Sequence, residues 1–168
     1  MAEPHEGRGT TAGPLISVVV PAYNAARHLG DALGSIVAQR GPFETEVLVV
    51  DDGSTDRTGE LAAAEGAEII RHEQPRGVGA AFRSGVQRAT DLGADIIVTI
   101  DADGQFNPED IPKLTRPIVS GEADFVTASR FIDPALVPVM PTAKKWGNDF
   151  MARWISALVK KRFHDVSC

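Results

Sequence analysis

Short apolar runs rich in Val and Ile alternate along the chain with segments in which apolar residues recur every three or four positions. The runs predict five strands, at Ile16–Val20, Glu46–Val50, Glu68–Arg71, Asp95–Ile100 and Asp124–Ala128. Helical periodicity predicts four helices between them, at Ala26–Gln39, Asp56–Glu65, Ala80–Leu92 and Pro108–Val119, the last capped by Asn107. Three strands are almost unbroken apolar runs, which is typical of strands covered on both faces. The alternation predicts an α/β fold with a doubly wound, mainly parallel sheet.

Polar clusters follow four of the predicted strands. They are Pro21–Asn24, Asp51–Asp56, Asp101–Gln105 and Ser129–Arg130. In sheets of this kind, ligands bind beyond the carboxyl ends of the strands. Each cluster alone fits a turn, a helix cap or a surface ion pair, but four clusters along one rim predict a ligand crevice.

The loop after the fourth strand carries two carboxylates and an amide, from Asp101, Asp103 and Gln105. Two carboxylates directly after an apolar strand repel each other and lose hydration. They are unfavourable there unless a cation or several hydrogen-bond donors neutralise them. Hard oxygen ligands suit Mg²⁺ or Mn²⁺, which usually complete their coordination with water and substrate phosphates. We therefore predict a metal and diphosphate site, although an isolated Asp-x-Asp is more often a turn or a helix cap.

Other clusters supply the remaining parts of a nucleotide site. Tyr23 can form an aromatic wall for a base, and a carboxylate after the second strand can accept hydrogen bonds from a nucleobase or ribose. Arg130 can hold a phosphate through two parallel hydrogen bonds. Together these groups predict a reaction at the carbon that bears the diphosphate, where neutralising the departing charge lowers the barrier.

Composition excludes several other classes of protein. The 168 residues are 43% hydrophobic and carry a formal charge of -6, which fits a globular domain and argues against general nucleic-acid binding. We expect residues 1–14 to form a flexible tail and residues 15–168 to form one domain. Cys168 is the single cysteine, so we expect no internal disulfide and a cytoplasmic location.

Two further expectations concern membranes and metals. The chain has no apolar run as long as a membrane span and no apolar signal-peptide core in its first residues, so we expect it to be neither inserted nor exported on its own. The four histidines lack the spacing of metal ligands. We expect them to be surface or packing residues: His5, His28, His72 and His164.

Four sequence blocks resemble the family 2 glycosyltransferases of the GT-A fold. They are Val18–Asn24, Val49–Asp56, Gly77–Ala80 and Asp101–Asp110. Within that family, they are most similar to the dolichol-phosphate or polyprenol-phosphate mannose synthase group. The resemblance covers about residues 15 to 168, and four blocks in the right order form a specific signature.

The resemblance implies a role for particular residues. Those implied to contact the nucleotide sugar are Pro21, Tyr23, Asp52, Asp101, Ala102 and, as a second phosphate contact, Lys144. The implied ligands of Mg²⁺ or Mn²⁺ are Asp101, Asp103 and Gln105. Asp103 and Arg130 are the implied catalytic residues, with Arg130 matching the family's phosphate-contacting arginine.

The resemblance also implies an inverting transfer of a hexose from a GDP-mannose or UDP-glucose type donor to a polyprenyl or dolichyl phosphate. Such an acceptor is already an anion, so the reaction requires no strong general base. The chain stops at Asp165–Cys168, inside the next block of the family, and we expect the acceptor half to be incomplete. Two alternatives therefore stay open: a module that binds sugar nucleotides without turnover, and a transferase with another acceptor such as a glycan.

The region from Lys144 to Arg162 combines tryptophans with basic residues. Six apolar side chains are predicted to share one helical face: Trp146, Phe150, Met151, Trp154, Ile155 and Leu158. Six basic residues accompany a single acidic residue, Asp149. A basic amphipathic helix with tryptophans can lie on an anionic membrane, which would place the protein at the cytoplasmic membrane face. The same pattern also fits a helix that buries its apolar face against the sheet or a second subunit.

Overall fold

The computed structural model describes residues 13–102, 110–128 and 142–159. Its contacts divide the chain into two compact units, Met1–Asp124 and Phe125–Cys168. The first unit contains four strands, β1 (Leu15–Ala22), β2 (Glu44–Asp51), β3 (Glu68–Arg71) and β4 (Ile96–Thr99). Its helices are α1 (Ala26–Val37), α2 (Thr58–Ala64), α3 (Val78–Asp91) and α4 (Ile111–Val119), and the second unit contains α5 (Thr142–Val159).

The four strands form one parallel sheet in the order β3-β2-β1-β4. Val18 pairs with Val47 of β2 on one side and with Val98 of β4 on the other, so β1 is a central strand. The chain passes from β3 through α3 to β4, which lies at the opposite edge of the sheet. The predicted parallel α/β sheet is confirmed.

Alternate side chains of the central strands enter two separate cores. One face of the sheet packs with α1, α2 and α4, and its core includes Val18, Val49 and Leu33. The other face packs with α3, and its core includes Val19 and Leu48. Burial on both faces explains the unbroken apolar runs, because every second residue of a strand points to the opposite face.

Helix α3 lies close to the sheet because it carries a glycine at the contact. A Cβ atom placed on Gly85 would lie 2.2 Å from Val19 Cγ1 and 3.1 Å from Val50 Cγ2. Any side chain there would push the helix away from β1 and β2. Helix α3 begins beside the carboxyl ends of these strands. The distance between α3 and the sheet therefore also determines where the first turn of α3 lies.

One predicted element differs from the structure, and the predicted start of another lies outside the described residues. Residues 124–128 do not form the predicted fifth strand. Phe125, the largest apolar side chain in this segment, is 78% exposed, so the segment does not gain the side-chain burial that stabilises a strand. Helix α4 is described from Ile111, whereas the predicted start at Asn107 and Pro108 lies outside the described residues.

Helix α5 forms over the predicted tryptophan region, and most of its large apolar side chains are exposed, whereas Ile155 is half-buried. Trp146 is 71% exposed and Trp154 58%, and the rings of Trp146 and Phe150 stack with centroids 5.7 Å apart. Leu158 is also exposed. Over the described ranges, the chain has no helix long and apolar enough to cross a bilayer.

Candidate functional site

A cavity of about 410 Å³ lies at the carboxyl ends of β1 and β4. The strand order reverses between these two strands, because β2 and β3 extend the sheet on one side of β1 and β4 lies on the other. Such a reversal is where open α/β sheets bind ligands. Five residues predicted from the sequence line this cavity: Pro21, Tyr23, Asp52, Asp101 and Ala102.

Hydrogen bonds connect the loop after β1, which forms one wall of the cavity, to the loop after β2. The Asn24 main-chain N–H donates to Ser54 Oγ at 3.0 Å, and the Thr55 N–H donates back to Asn24 Oδ1 at 2.9 Å. The Ala25 N–H donates to Thr58 Oγ1 at 2.9 Å. These side chains satisfy N–H groups at the start of α1, which have no partner inside the helix.

Asp56 extends the same connection. Its Oδ2 accepts the Ala26 N–H at 3.2 Å, and its Oδ1 accepts the Thr58 N–H at 3.0 Å. The hydrogen bond from the Thr58 hydroxyl is the main reason that the pKa of Asp56 lies below its ordinary value. The Asp51–Asp56 block therefore holds two helix starts and the cavity wall in place.

Asp52 accepts hydrogen bonds at both of its carboxylate oxygens. Its Oδ1 accepts hydrogen bonds from the Arg76 N–H at 2.9 Å and from His72 Nδ1 at 2.6 Å. Its Oδ2 accepts the Gly77 N–H at 2.8 Å. Burial raises the pKa of Asp52, but the bonds from His72, Arg76 and Gly77 outweigh it and hold the pKa below the ordinary value. Asp52 is therefore an anion at neutral pH.

Asp51, the preceding residue, has a different environment. Its side chain is fully buried, and its Oδ1 accepts the Ser54 N–H at 2.9 Å. Its Oδ2 has no hydrogen-bond partner in the described part of the chain, although Arg71 Nε lies 3.5 Å away. Gly59 leaves room for this oxygen, since a Cβ there would lie 3.0 Å from it. Asp51 therefore shapes the loop, while Asp52 lines the cavity.

Several predicted site residues cannot be placed. Asp103, Gln105 and Arg130 lie outside the described residues. Lys144 falls on α5, where only its backbone is described. Among the described residues, no three potential metal ligands from His, Cys, Asp and Glu lie together. The oxygen of Asp101 on the cavity is of the type that Mg²⁺ and Mn²⁺ prefer, which fits the predicted metal without defining its coordination.

Ala22 and Asn24 also line the cavity, and they belong to the Pro21–Asn24 cluster that was predicted to lie at the crevice. The lining residues that were not predicted are Ala25, His28, Val78 and Ala81. His28 was expected to be a surface or packing residue, and it is exposed at the cavity. Its position in the first turn after a polar strand end was the available signal. His72 is buried, as a packing residue should be, but its bond to Asp52 spans 20 positions and had no local signal.

The sequence profile of glycosyl transferase family 2 matches residues 17–164. The chain belongs to this family. The match includes the strands, the loops that line the cavity and the loop that carries Asp103. The family resemblance drawn from the four sequence blocks is confirmed.

Three relatives have names that refer to polyprenyl phosphates. A UDP-N-acetylglucosamine–dolichyl-phosphate N-acetylglucosaminyltransferase of Methanococcus voltae is 35% identical over 82% of this chain and 60% of its own length. An undecaprenyl-phosphate mannosyltransferase of Micrococcus luteus is 31% identical over 85% and 57%. A dolichol-phosphate mannosyltransferase of Pyrococcus furiosus is 33% identical over 77% and 37%.

A solved structure supports the same fold. Glucosyl-3-phosphoglycerate synthase of Mycobacterium tuberculosis, in complex with Mn²⁺, UDP and phosphoglyceric acid, matches with a TM-score of 0.55 and 34% identity. The match covers 66% of this chain and 40% of that one. The predicted GT-A fold class is thereby confirmed. The chain spans only about 37% to 60% of the length of the three curated relatives.

Proposed function

We propose that this chain forms the donor-binding part of a metal-dependent inverting glycosyltransferase. The observation that carries the proposal is the cavity at the strand-order reversal, which brings together Tyr23, Asp52 and Asp101. An aromatic ring, an anionic hydrogen-bond acceptor and a hard oxygen ligand match the base, the ribose or base N–H, and the metal-bound diphosphate of a nucleotide sugar.

Residues whose side chains the structure does not describe complete the proposed site. Asp103 and Gln105 would join Asp101 around Mg²⁺ or Mn²⁺, while Arg130 and Lys144 would contact phosphate oxygens. A bound divalent cation would neutralise charge on the departing diphosphate. The Mn²⁺ and UDP named for the M. tuberculosis enzyme support a cation together with a nucleotide diphosphate. Ala102 and Pro21 would shape the cavity around the donor.

The proposed acceptor is a polyprenyl or dolichyl phosphate. The names of the relatives from M. voltae, M. luteus and P. furiosus support this acceptor class. An acceptor phosphate oxygen would form the new bond to the anomeric carbon as the bond to the nucleoside diphosphate breaks. Because that oxygen is already anionic, the protein's contribution is orientation and charge stabilisation.

The exposed face of α5 is proposed as a peripheral membrane contact. Trp146, Phe150 and Trp154 offer exposed aromatic area, and Arg153 is an exposed cation on the same helix. Aromatic and basic side chains together favour the surface of an anionic bilayer. This contact would bring the donor site to the side of the membrane where a lipid phosphate is presented.

A donor panel tests the central proposal. GDP-mannose, UDP-glucose and UDP-N-acetylglucosamine are each added to the whole chain with Mn²⁺ or with EDTA, and the melting temperature is measured. One donor should raise the melting temperature clearly with Mn²⁺ and weakly with EDTA, since ligands that bind only the native state stabilise it. Equal shifts with Mn²⁺ and EDTA would contradict the metal dependence of donor binding. No shift with any donor would contradict the donor site.

A hydrolysis assay then separates transfer from binding alone. Released nucleoside diphosphate is measured with a donor that raises the melting temperature, in the presence and absence of a short polyprenyl phosphate. Release that increases with the lipid phosphate supports the transferase. Binding without release supports a sugar-nucleotide-binding module.

A further inference from the structure

A chain of hydrogen bonds runs from the cavity through the buried side chain of His72 to the half-buried Ser84 of α3. His72, which follows β3, contacts Asp52 through Nδ1 at 2.6 Å and Ser84 Oγ through Nε2 at 2.9 Å. The His72 side chain is only 6% exposed and that of Asp52 only 8%. Buried polar chains of this kind restrict their members to one arrangement when each bond is made.

The partners of His72 determine which nitrogen carries its proton. Asp52 is an anion and can only accept, so the imidazole Nδ1 donates to Asp52 Oδ1. In the neutral ring, Nε2 is then an acceptor and takes the proton of the Ser84 hydroxyl. Asp52 thus fixes the tautomer of His72, and the Ser84 hydroxyl holds the other side of the ring through Nε2.

The bonds to Asp52 are unevenly divided between its two oxygens. A carboxylate oxygen has two acceptor positions. On Oδ1, both are used by His72 and the Arg76 N–H, whereas on Oδ2 the Gly77 N–H uses one. Within the described residues, the second position of Oδ2 remains for a ligand.

We propose that His72 is a positioning residue of the donor cavity, which saturates Oδ1 of Asp52 and so presents Oδ2 as a single acceptor for one N–H or O–H of the bound nucleoside. The inference rests on the proposed function, because it names how the same cavity selects the nucleoside part of its donor. Without His72, the carboxylate would gain a second free acceptor position, and within the described residues only the Arg76 and Gly77 N–H groups would hold it, so its orientation toward the nucleoside would be less restricted.

Four variants of the whole chain separate positioning from stability. His72→Leu removes both bonds, and His72→Asn keeps a donor close to the position of Nδ1. Ser84→Ala removes only the hydrogen bond that holds Nε2 of the ring. Thr90→Ala is the matched control, because Thr90 lies on the same helix and its hydroxyl donates only to the Val86 carbonyl, at 2.8 Å.

Affinities for GDP and UDP with Mn²⁺ are measured by calorimetry, with inorganic pyrophosphate and Mn²⁺ as the second probe. His72→Leu should weaken binding of the preferred nucleotide about tenfold and leave pyrophosphate binding within about twofold, because hydrogen bonds to a charged group have this magnitude. His72→Asn should restore most of the lost affinity. Ser84→Ala should weaken nucleotide binding more than Thr90→Ala does.

Several results would overturn the inference. Wild-type nucleotide affinity in His72→Leu would do so, and so would a parallel loss of pyrophosphate affinity, which indicates general damage. If His72→Leu does not fold, equal nucleotide affinity in Ser84→Ala and Thr90→Ala would overturn it. A wild-type chain that binds neither nucleotide would contradict the proposed function itself, whereas failure confined to the variants would contradict only the role of His72.

Discussion

The main-chain N–H of Asn24 donates to the Ser54 hydroxyl at 3.0 Å, which joins the loop after β1 to the loop after β2. Asn24 has a φ of 49°, a left-handed conformation that asparagine tolerates better than most residues. Its amide oxygen accepts the Thr55 N–H from the same opposing loop. One residue therefore combines an unusual backbone conformation with a connection between two walls of the cavity.

Substitutions at Asn24 should separate these two contributions. Asn24→Gly keeps the left-handed conformation accessible and loses the amide acceptor, so we expect a loss of about 1 kcal/mol in the free energy of unfolding. Asn24→Ala adds the cost of a positive φ and should lose about 1 kcal/mol more. Urea unfolding measures both. Equal stabilities of the two variants would contradict a backbone contribution, and Ser35→Ala on the exposed face of α1 is the control.

The sequence was most informative about features with local or periodic signals. The runs around Val18 and Val49 predicted buried parallel strands, because burial on both faces removes polar residues from a strand. The polar strand ends predicted where Tyr23, Asp52 and Asp101 would gather, because parallel strands end at the same edge. These inferences needed no knowledge of individual side-chain contacts.

Features that depend on tertiary contacts were not predictable. The apolar composition of residues 124–128 favoured a strand, but a strand also needs a pairing edge, which composition does not encode. The partners of His72 lie 20 and 12 positions away, so no spacing rule could identify them. The role of Gly85 likewise depends on the distance of α3 from Val19.

Two glycines of α3 should respond in opposite directions to alanine. Gly85→Ala places a Cβ against Val19 and Val50 and should lower the free energy of unfolding by about 1–3 kcal/mol. A Cβ atom placed on Gly79 would meet no tertiary neighbour within 4 Å, so Gly79→Ala should be neutral or raise stability by up to about 1 kcal/mol. Thermal and urea unfolding measure both variants. A Gly85→Ala protein as stable as Gly79→Ala would contradict the close packing of α3.

Asp52 should contribute to the pH dependence of stability. The pKa of this carboxyl is lowered in the folded protein, so its contribution is present above its unfolded pKa and is lost as pH falls through its folded pKa. We expect Asp52→Asn to be less stable than wild type at pH 7 by about 1–3 kcal/mol, because three donors lose an anionic partner. Below about pH 4 the difference should shrink. Urea unfolding from pH 7 to pH 3 measures it, and a constant difference would contradict the linkage.

The exposed tryptophans of α5 should control binding to anionic vesicles. Replacing both Trp146 and Trp154 by Ser removes exposed aromatic area and should reduce co-sedimentation with vesicles of anionic phospholipid severalfold. Phe82→Ser is the control, since Phe82 is an exposed aromatic residue on α3. Added salt should weaken the binding of the wild type, because screening reduces the attraction of basic residues to lipid. Binding that is absent at low salt would instead favour a protein partner for this face.

Asp103 gives the sharpest test of the proposed metal site. Asp103→Ala should abolish metal-dependent donor binding, because it removes one of the proposed oxygen ligands beside Asp101. The metal-free protein should keep its melting temperature, because the substitution removes a charge from a loop crowded with carboxylates. Calorimetry with GDP or UDP and Mn²⁺ measures the affinity, and Asp31→Ala, at an exposed position of α1, is the control.

The opposite pair of results for Asp103→Ala would identify a different role for this residue. A carboxylate that only caps a helix or forms a turn contributes about 0.5 to 2 kcal/mol to stability and nothing specific to a distant nucleotide. Its loss would lower the melting temperature and leave nucleotide affinity close to that of Asp31→Ala. Because a metal ligand and a turn residue predict opposite changes in both measurements, a destabilised variant with normal affinity would contradict the glycosyltransferase site proposed for this loop.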